Sequence, residues 1–278
     1  MNLIGIDIGG TKITIGKVSN KKLKDITSIK INSGSSQEKI ICKIRLLIDK
    51  LIDKETKAIG IGVPAIVDTK KGIVFETVNI PSWKKVNLKQ ILEDKYKIPV
   101  FVNNDSNCFA LGEKYFGICK KNNNFVAVSI STGFGAGIII NNKLYEGNNC
   151  GAGEFGEIFF KGKSIEHYCS GKYFIKEYKT KGELLFEKAK QKDKNALKIF
   201  NEFGKNVGEA LSVIVNSVDP EVIILGGSVS KSYKFFEKSM KKSLRQLIYE
   251  RSYSRLKIKQ SKTKNINVFG AAALYHNS

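Results

Sequence analysis

Histidine is nearly missing from this 278-residue chain. Its two copies, His167 and His276, would leave any zinc site to be assembled from poorly spaced donors. The five cysteines, Cys42, Cys108, Cys119, Cys150 and Cys169, include no CxxC pair. An odd, scattered set in a chain of this length argues against a disulfide framework and for reduced thiols. No apolar run approaches the roughly 18 residues that a membrane span needs. Arginine is scarce too, at positions 45, 245, 251 and 255 only, so the formal net charge of +21 rests on lysines spread through every segment. A nucleic-acid stripe would concentrate its charge and favour arginine for its bidentate geometry. A diffuse lysine field favours small anions such as a nucleotide triphosphate instead. The sequence also shows no basic region followed by an apolar region and a cleavage site, opening directly on "NLIGIDIGG", so a cytoplasmic location is expected.

At 42% hydrophobic and 26% charged residues the composition is that of a globular protein, long enough for two lobes with a core each. "LIGIDIG" and "ITIGKV" alternate around the tight "GGTK" turn and predict a hairpin. Apolar residues at 40, 41, 44, 47, 48, 51 and 52 follow the helical period from Lys39 to Asp53, and "AIGIGVP" reads as a buried strand. The first segment is therefore β-β-α-β. "VFVNND" predicts a further strand, and "SNCFALGEKYFG" a helix with Asp105 and Ser106 where a cap would sit. Residues 196–218 have the spacing of a long core helix.

The layout repeats. "LIGIDIGGTKITIGKV" (3–18) and "FVAVSISTGFGAGIII" (125–140) are each strand, glycine turn, strand, with Ile4, Ile6 and Ile8 matched by Val126, Val128 and Ile130. One turn holds Asp7, Gly9, Gly10, Thr11 and Lys12. The other holds Ser131, Thr132, Gly133, Gly135 and Gly137. Such turns let backbone N–H groups approach an anion while hydroxyl and ammonium groups supply further donors. Two ordinary hairpins would show the same glycines, and neither turn is a Walker or dinucleotide motif. Asp7 is suited to hold the hydrated Mg²⁺ that accompanies a triphosphate. A third turn, Gly226–Gly227, ends the strand "EVIIL" and leads into a helix, where a phosphate or ribose can rest on exposed backbone.

Together these pieces resemble the ROK family of sugar kinases within the actin-like ATPase superfamily. The matching segments are "DIGGTK", "GIGVPAIVD", "TVNIPSW" (77–83), "NNDSNCFALGE" (103–113), "STGFGAGIIINNKLYEG" (131–147), "GAGEFGE" (151–157) and "EVIILGGSVS" (221–230), in the family's order across essentially the whole chain. The resemblance implies an α/β, two-lobed actin-like ATPase (ribonuclease H-like) fold with the active site in the interlobe cleft. It places the small lobe at residues 1–104, completed by a C-terminal helix at 267–278, and the large lobe at 105–266. It makes the paired turns phosphate loops, Asp105 the catalytic base and Asn104 a sugar ligand. The need is chemical as well, since phosphoryl transfer to an alcohol requires a carboxylate within reach of the attacking hydroxyl. Taken alone, Asp105 would read as a helix cap.

The resemblance also gives Glu154 of "GAGE" and Glu166 of "IEHYCSG" as acceptors for sugar hydroxyls. Three residues after Glu154 the family usually has a histidine that serves sugar and zinc, and this chain has Glu157. The family's CxCGxxGC cluster is missing as well, with only Cys169 in its region, so no structural zinc is expected and His167 is at most a local substitute. The expected activity is ATP- and Mg²⁺-dependent phosphorylation of a hexose, at the 6-hydroxyl, by a glucokinase or broad hexokinase. N-acetylmannosamine, N-acetylglucosamine and fructose are the alternative substrates, and a noncatalytic sugar-responsive regulator is the alternative of another class. Family repressors carry an N-terminal helix-turn-helix, whereas this sequence starts within two residues of its first strand. The expected partners are sugar and ATP in a homodimer, with neither nucleic acid nor membrane.

Overall fold

Strands and helices alternate through the computed structural model, which describes residues 1–75, 77 and 79–277. Val78 of the "TVNIPSW" segment and Ser278, last residue of the 267–278 segment, lie outside the described residues. The predicted first hairpin consists of β1 (Asn2–Ile8) and β2 (Lys12–Ser19), antiparallel with Asp7 opposite Thr14. Sequence analysis places no strand after it, yet β3 (Lys22–Lys30) pairs antiparallel with β2. The connecting Asn20 and Lys21 both adopt positive φ, 49° and 61°, as a two-residue hairpin loop requires. Most of β3 faces solvent as the sheet's edge strand. Its lysines suit an edge, and its alternation is correspondingly weak.

Helix α1 (Gln37–Leu51) starts at Ser36, whose Oγ accepts the Lys39 N–H at 3.4 Å, and it buries Ile40, Ile41, Ile44, Leu47 and Ile48. After β4 (Thr56–Val63) come three short antiparallel strands, β5 (Ile66–Asp68), β6 (Ile73–Phe75) and β7 (Lys85–Val86). They are followed by α2 (Leu88–Tyr96), β8 (Val100–Asn104) and α3 (Asp105–Tyr115). The strand order β3-β2-β1-β4-β8 puts β1, β4 and β8 side by side and parallel. Fully buried isoleucines on them, such as Ile4, Ile6, Ile8, Ile59 and Ile61, each contribute about 1.5–3 kcal/mol of burial.

The second hairpin layout appears as β9 (Phe125–Ile130) and β10 (Phe134–Ile140), with β11 (Lys143–Tyr145) antiparallel to the end of β10. Next come the two-stranded β12 (Phe159–Phe160) and β13 (Lys163–Ser164), then α4 (Ile165–Cys169), α5 (Gly171–Tyr178), α6 (Gly182–Lys190) and α7 (Lys194–Val218). The chain continues through β14 (Val222–Gly226), α8 (Tyr233–Arg245), α9 (Glu250–Arg255), β15 (Lys257–Gln260) and α10 (Ile266–Ala273). β9, β14 and β15 are parallel neighbours in that order. The internal echo therefore extends from sequence to topology, because β9 relates to β14 and β15 as β1 relates to β4 and β8. Phe174 of α5, Phe200 and Phe203 of α7 and Phe236 of α8 pack ring to ring, fully buried.

The chain forms two compact units, residues 1–123 with 137–152 and 262–278, and residues 124–136 with 153–261. This division differs from a boundary at 104/105. Helix α3 stays with the first unit because its backbone packs directly on α10, where the Gly112 and Gly270 positions leave no room for a side chain. Among the described residues no helix is long and apolar enough to cross a membrane.

Candidate active site

In the first unit the candidate residues collect at the carboxyl ends of parallel strands, the edge where open α/β sheets bind ligands. Register fixes the row, with Asp7 of β1 beside Gly62 of β4 and Gly62 beside Asn103 of β8. Neighbouring strands lie about 4.8 Å apart, so one glycine-width separates the Asp7 strand from the Asn103–Asn104–Asp105 strand end. The "GGTK" turn closes on itself, with the Gly9 N–H donating to the Lys12 carbonyl at 2.9 Å. It is held from outside by the Ile31 N–H, which donates to the Thr11 carbonyl at 2.9 Å. The Thr11 and Lys12 side chains are exposed.

The cap of α3 is Asn104 rather than Asp105 or Ser106. Its Oδ1 accepts the Ser106 N–H at 2.8 Å, and its Nδ2 donates to the Ala65 carbonyl at 3.2 Å. Three consecutive cap-competent residues made the sequence ambiguous, and the backbone turns one residue earlier than the spacing indicates. The correction frees Asp105, the first helical residue, from capping; its carboxylate accepts from Ser106 Oγ at a long 3.4 Å and from the backbone N–H groups at the helix start. Burial pushes its carboxyl above the usual aspartate range, and the hydrogen bonds from Ser106 only partly oppose this. Asp7 is pushed up to about 6, chiefly by burial and then by the negative charge of Asp105, against a hydrogen bond from Asn267 and the charge of Lys12. The charge of Asp105 thus raises Asp7, and Mg²⁺ is held by one or two carboxylates plus water and phosphate. The donor set therefore fits a hydrated Mg²⁺ at Asp7.

Sequence reasoning missed Glu146. Its carboxylate accepts a hydrogen bond from Asn103 Nδ2 and, at 3.2 Å, one from Thr69 Oγ1. Asn103 Oδ1 in turn accepts from the Asn104 N–H at 2.8 Å and from Asn107 Nδ2 at 2.9 Å. Glu146 thus anchors the strand end that carries Asn104 and Asp105. The link spans 43 residues and no local pattern announces it. Glu146→Ala leaves the buried Asn103 amide without its acceptor, and chemical denaturation should show a loss of about 1–3 kcal/mol. Glu146→Gln, which keeps an acceptor, should lose less.

In the second unit the strand ends again converge. Gly226 ends β14 opposite Ser129 of β9. Gly227 follows at φ +85°, where a Cβ would stand 2.3 Å from the Ile130 carbonyl oxygen, so only glycine fits. The third glycine turn therefore lies against the second, Ser131–Gly133, which is closed by the Ser131 N–H donating to the Gly133 carbonyl at 2.9 Å. Thr132 is exposed at its tip, and Gly135 lies inside β10. On the other side of this turn stands Glu166, whose Oε2 accepts the Phe134 N–H at 3.0 Å while Oε1 takes the ammonium of Lys172. Glu154 and Glu157 are exposed and flank a single 3-10 turn, Phe155–Glu157. His167 is engaged in an ion cluster, its Nε2 2.6 Å from Glu177 Oε1 and 3.0 Å from Lys163 Nζ. Among the described residues no group of three or more histidine, cysteine, aspartate and glutamate side chains is arranged to hold a metal ion.

The ROK family profile matches residues 3–278. A xylose repressor of Bacillus subtilis is 36% identical over 69% of this chain and 53% of its own length, so the match spans about half of that protein. A glucokinase of Thermotoga maritima is 28% identical over 84% of this chain and 83% of its own. The crystal structure of a ROK family glucokinase from Streptomyces griseus in complex with glucose and AMPPNP is 27% identical, with a TM-score of 0.85 over 99% of each chain. The fold is accordingly the two-lobed α/β fold of those sugar kinase structures.

Proposed function

The chain belongs to the ROK family, and from that premise we propose that it is an ATP-dependent sugar kinase, transferring the γ-phosphoryl group of Mg-ATP to a hexose 6-hydroxyl. The observation that carries this reading is Asp105. A helix-starting aspartate normally serves as the cap, but here Asn104 does that work. That leaves a half-buried carboxylate with a raised pKa beside Asp7 and the "GGTK" turn. A carboxyl raised toward its working pH is a better general base.

Asp105 accepts the proton of the attacking hydroxyl. Asn104, whose Nδ2 spends one hydrogen on the Ala65 carbonyl, donates the other to the sugar, and Glu154, Glu157 and Glu166 accept from its other hydroxyls. Gly9, Gly10, Thr11 and Lys12, and likewise Thr132, Gly133, Gly135, Gly226 and Gly227, supply backbone and side-chain donors to the nucleotide. A magnesium ion accompanying the triphosphate, held through water by Asp7, supplies charge neutralisation. The reading goes with a cytoplasmic location, where ATP is available, and the family resemblance favours a homodimer without structural zinc.

A regulator reading has one observation in its favour, the 36% identity to a xylose repressor. A regulator, however, has no chemical use for a half-buried base beside Asp7 and a glycine-rich turn suited to phosphate. A coupled assay with ATP, Mg²⁺ and a panel of hexoses tests the proposal. ADP release should be fastest with glucose, with N-acetylmannosamine, N-acetylglucosamine and fructose as the next candidates. Sugar-independent or absent ADP release across the panel would remove the kinase reading.

A further inference from the structure

Glu166 is not a simple surface acceptor. Gly133 has no side chain where a Cβ would stand 2.5 Å from Glu166 Oε2, so the carboxylate reaches past it to the Phe134 N–H. One carboxylate oxygen is thereby committed to the backbone of the second glycine turn. The other is covered by Lys172, in an ion pair whose lysine side chain is 43% exposed against 20% for the glutamate. Lys172 itself is built onto that turn. The Gly171 N–H donates to the Ser131 carbonyl at 2.7 Å, and a Cβ on Gly171 would lie 3.8 Å from the Thr132 Cα. Ser170, fully buried, caps α5 by accepting the Lys172 N–H at 3.1 Å. The base of the side chain is fixed, while its ammonium sits at the end of a stem with four rotatable bonds.

We infer that Lys172 is a positioning residue that couples the nucleotide and sugar sites, pairing with Glu166 until phosphate reaches the Ser131–Gly133 turn and then turning to that anion. The inference rests on the kinase reading of this site. A phosphoryl oxygen arriving at the turn brings negative charge to the residue beside the start of α5, and a lysine ammonium follows the denser charge. Glu166 Oε1 then has a free lone pair and an uncompensated charge with which to accept a sugar hydroxyl. Because coupling between two binding equilibria is reciprocal, bound sugar tightens nucleotide binding by the same factor. The device belongs to this chain's own pairing of Glu166 with Lys172.

Calorimetric titration of glucose, with and without saturating AMPPNP and Mg²⁺, reads the coupling without turnover. The wild-type Kd for glucose should fall at least about 5-fold when the analogue is present. In Lys172→Met the ratio should shrink to near one, through tighter sugar binding in the absence of the analogue. Lys172→Arg, which keeps the charge, should restore part of it. Thermal melting of each variant controls for folding, and a pair whose lysine end is solvent-accessible predicts a modest change there. Coupling in Lys172→Met equal to wild type, or no coupling in the wild type, overturns the inference alone. A wild-type protein that binds neither glucose nor AMPPNP overturns the kinase reading and this inference with it.

Discussion

Asp105→Asn should lower kcat by about two orders of magnitude or more while leaving glucose affinity largely intact. The substitution keeps shape and volume, and the amide can still accept from Ser106. It cannot take a proton. Nothing else at the end of β8 can replace it, since the Asn103 and Asn104 amides are neutral and Glu146 is occupied by Asn103 and Thr69. Stability should barely move, because the cap of α3 belongs to Asn104. Losing a charge from the first turn of a helix costs only about 0.3–1 kcal/mol, and relief of the repulsion with Asp7 offsets part of that. Steady-state kinetics with a calorimetric glucose Kd would separate the two effects. Near-normal turnover would end the assignment of Asp105 as base.

The same residue shows where sequence reasoning stops. Short apolar runs broken by glycine turns identify both hairpins, because β1, β2, β9 and β10 are buried on both faces over most of their length. The offset of 122 between them is legible for the same reason. The identity of the cap within "NNDS" is not, since Asn, Asp and Ser all perform that task and the choice depends on where β8 ends. β3 escapes notice because an edge strand buries little and so lacks a strong apolar period. The contacts from Glu146 to Asn103 and from Glu166 to Phe134 join residues 43 and 32 positions apart, and neither partner advertises the other. The glutamates of residues 150–171 look equivalent as letters. In the structure Glu166 braces a turn and carries a lysine, whereas Glu154 and Glu157 remain exposed. The unit boundary was hidden likewise, because it depends on the contact between α3 and α10.

That contact sets the second large effect, Gly270→Ala. A Cβ at residue 270 would stand 1.6 Å from the Cys108 carbonyl oxygen and 2.9 Å from the Gly112 nitrogen, both backbone atoms of α3. No rotamer change relieves a clash with backbone, so α3 and α10 must separate. α10 has little freedom to retreat, because it also rests on β1 and β4. A Cβ at Gly5 would lie 1.9 Å from the Val268 oxygen, and one at Gly60 would lie 1.8 Å from the Ala271 oxygen. Overpacking within cores usually costs about 1–3 kcal/mol, and here the displaced parts are whole helices, so a loss of about 3 kcal/mol or more is expected. For a chain of this size that lowers Tm by about 5 °C or more, which differential scanning calorimetry would show. Turnover of the folded fraction should fall as well, because α3 carries Asp105 at its first residue, and a displacement of about 1 Å can cost roughly 100-fold in rate. Asp105→Asn and Gly270→Ala thus make opposite signatures, rate lost with stability kept against stability and rate lost together. A Gly270→Ala protein that melts with the wild type would mean that α3 and α10 do not meet backbone to backbone, and the positioning of Asp105 would need another support.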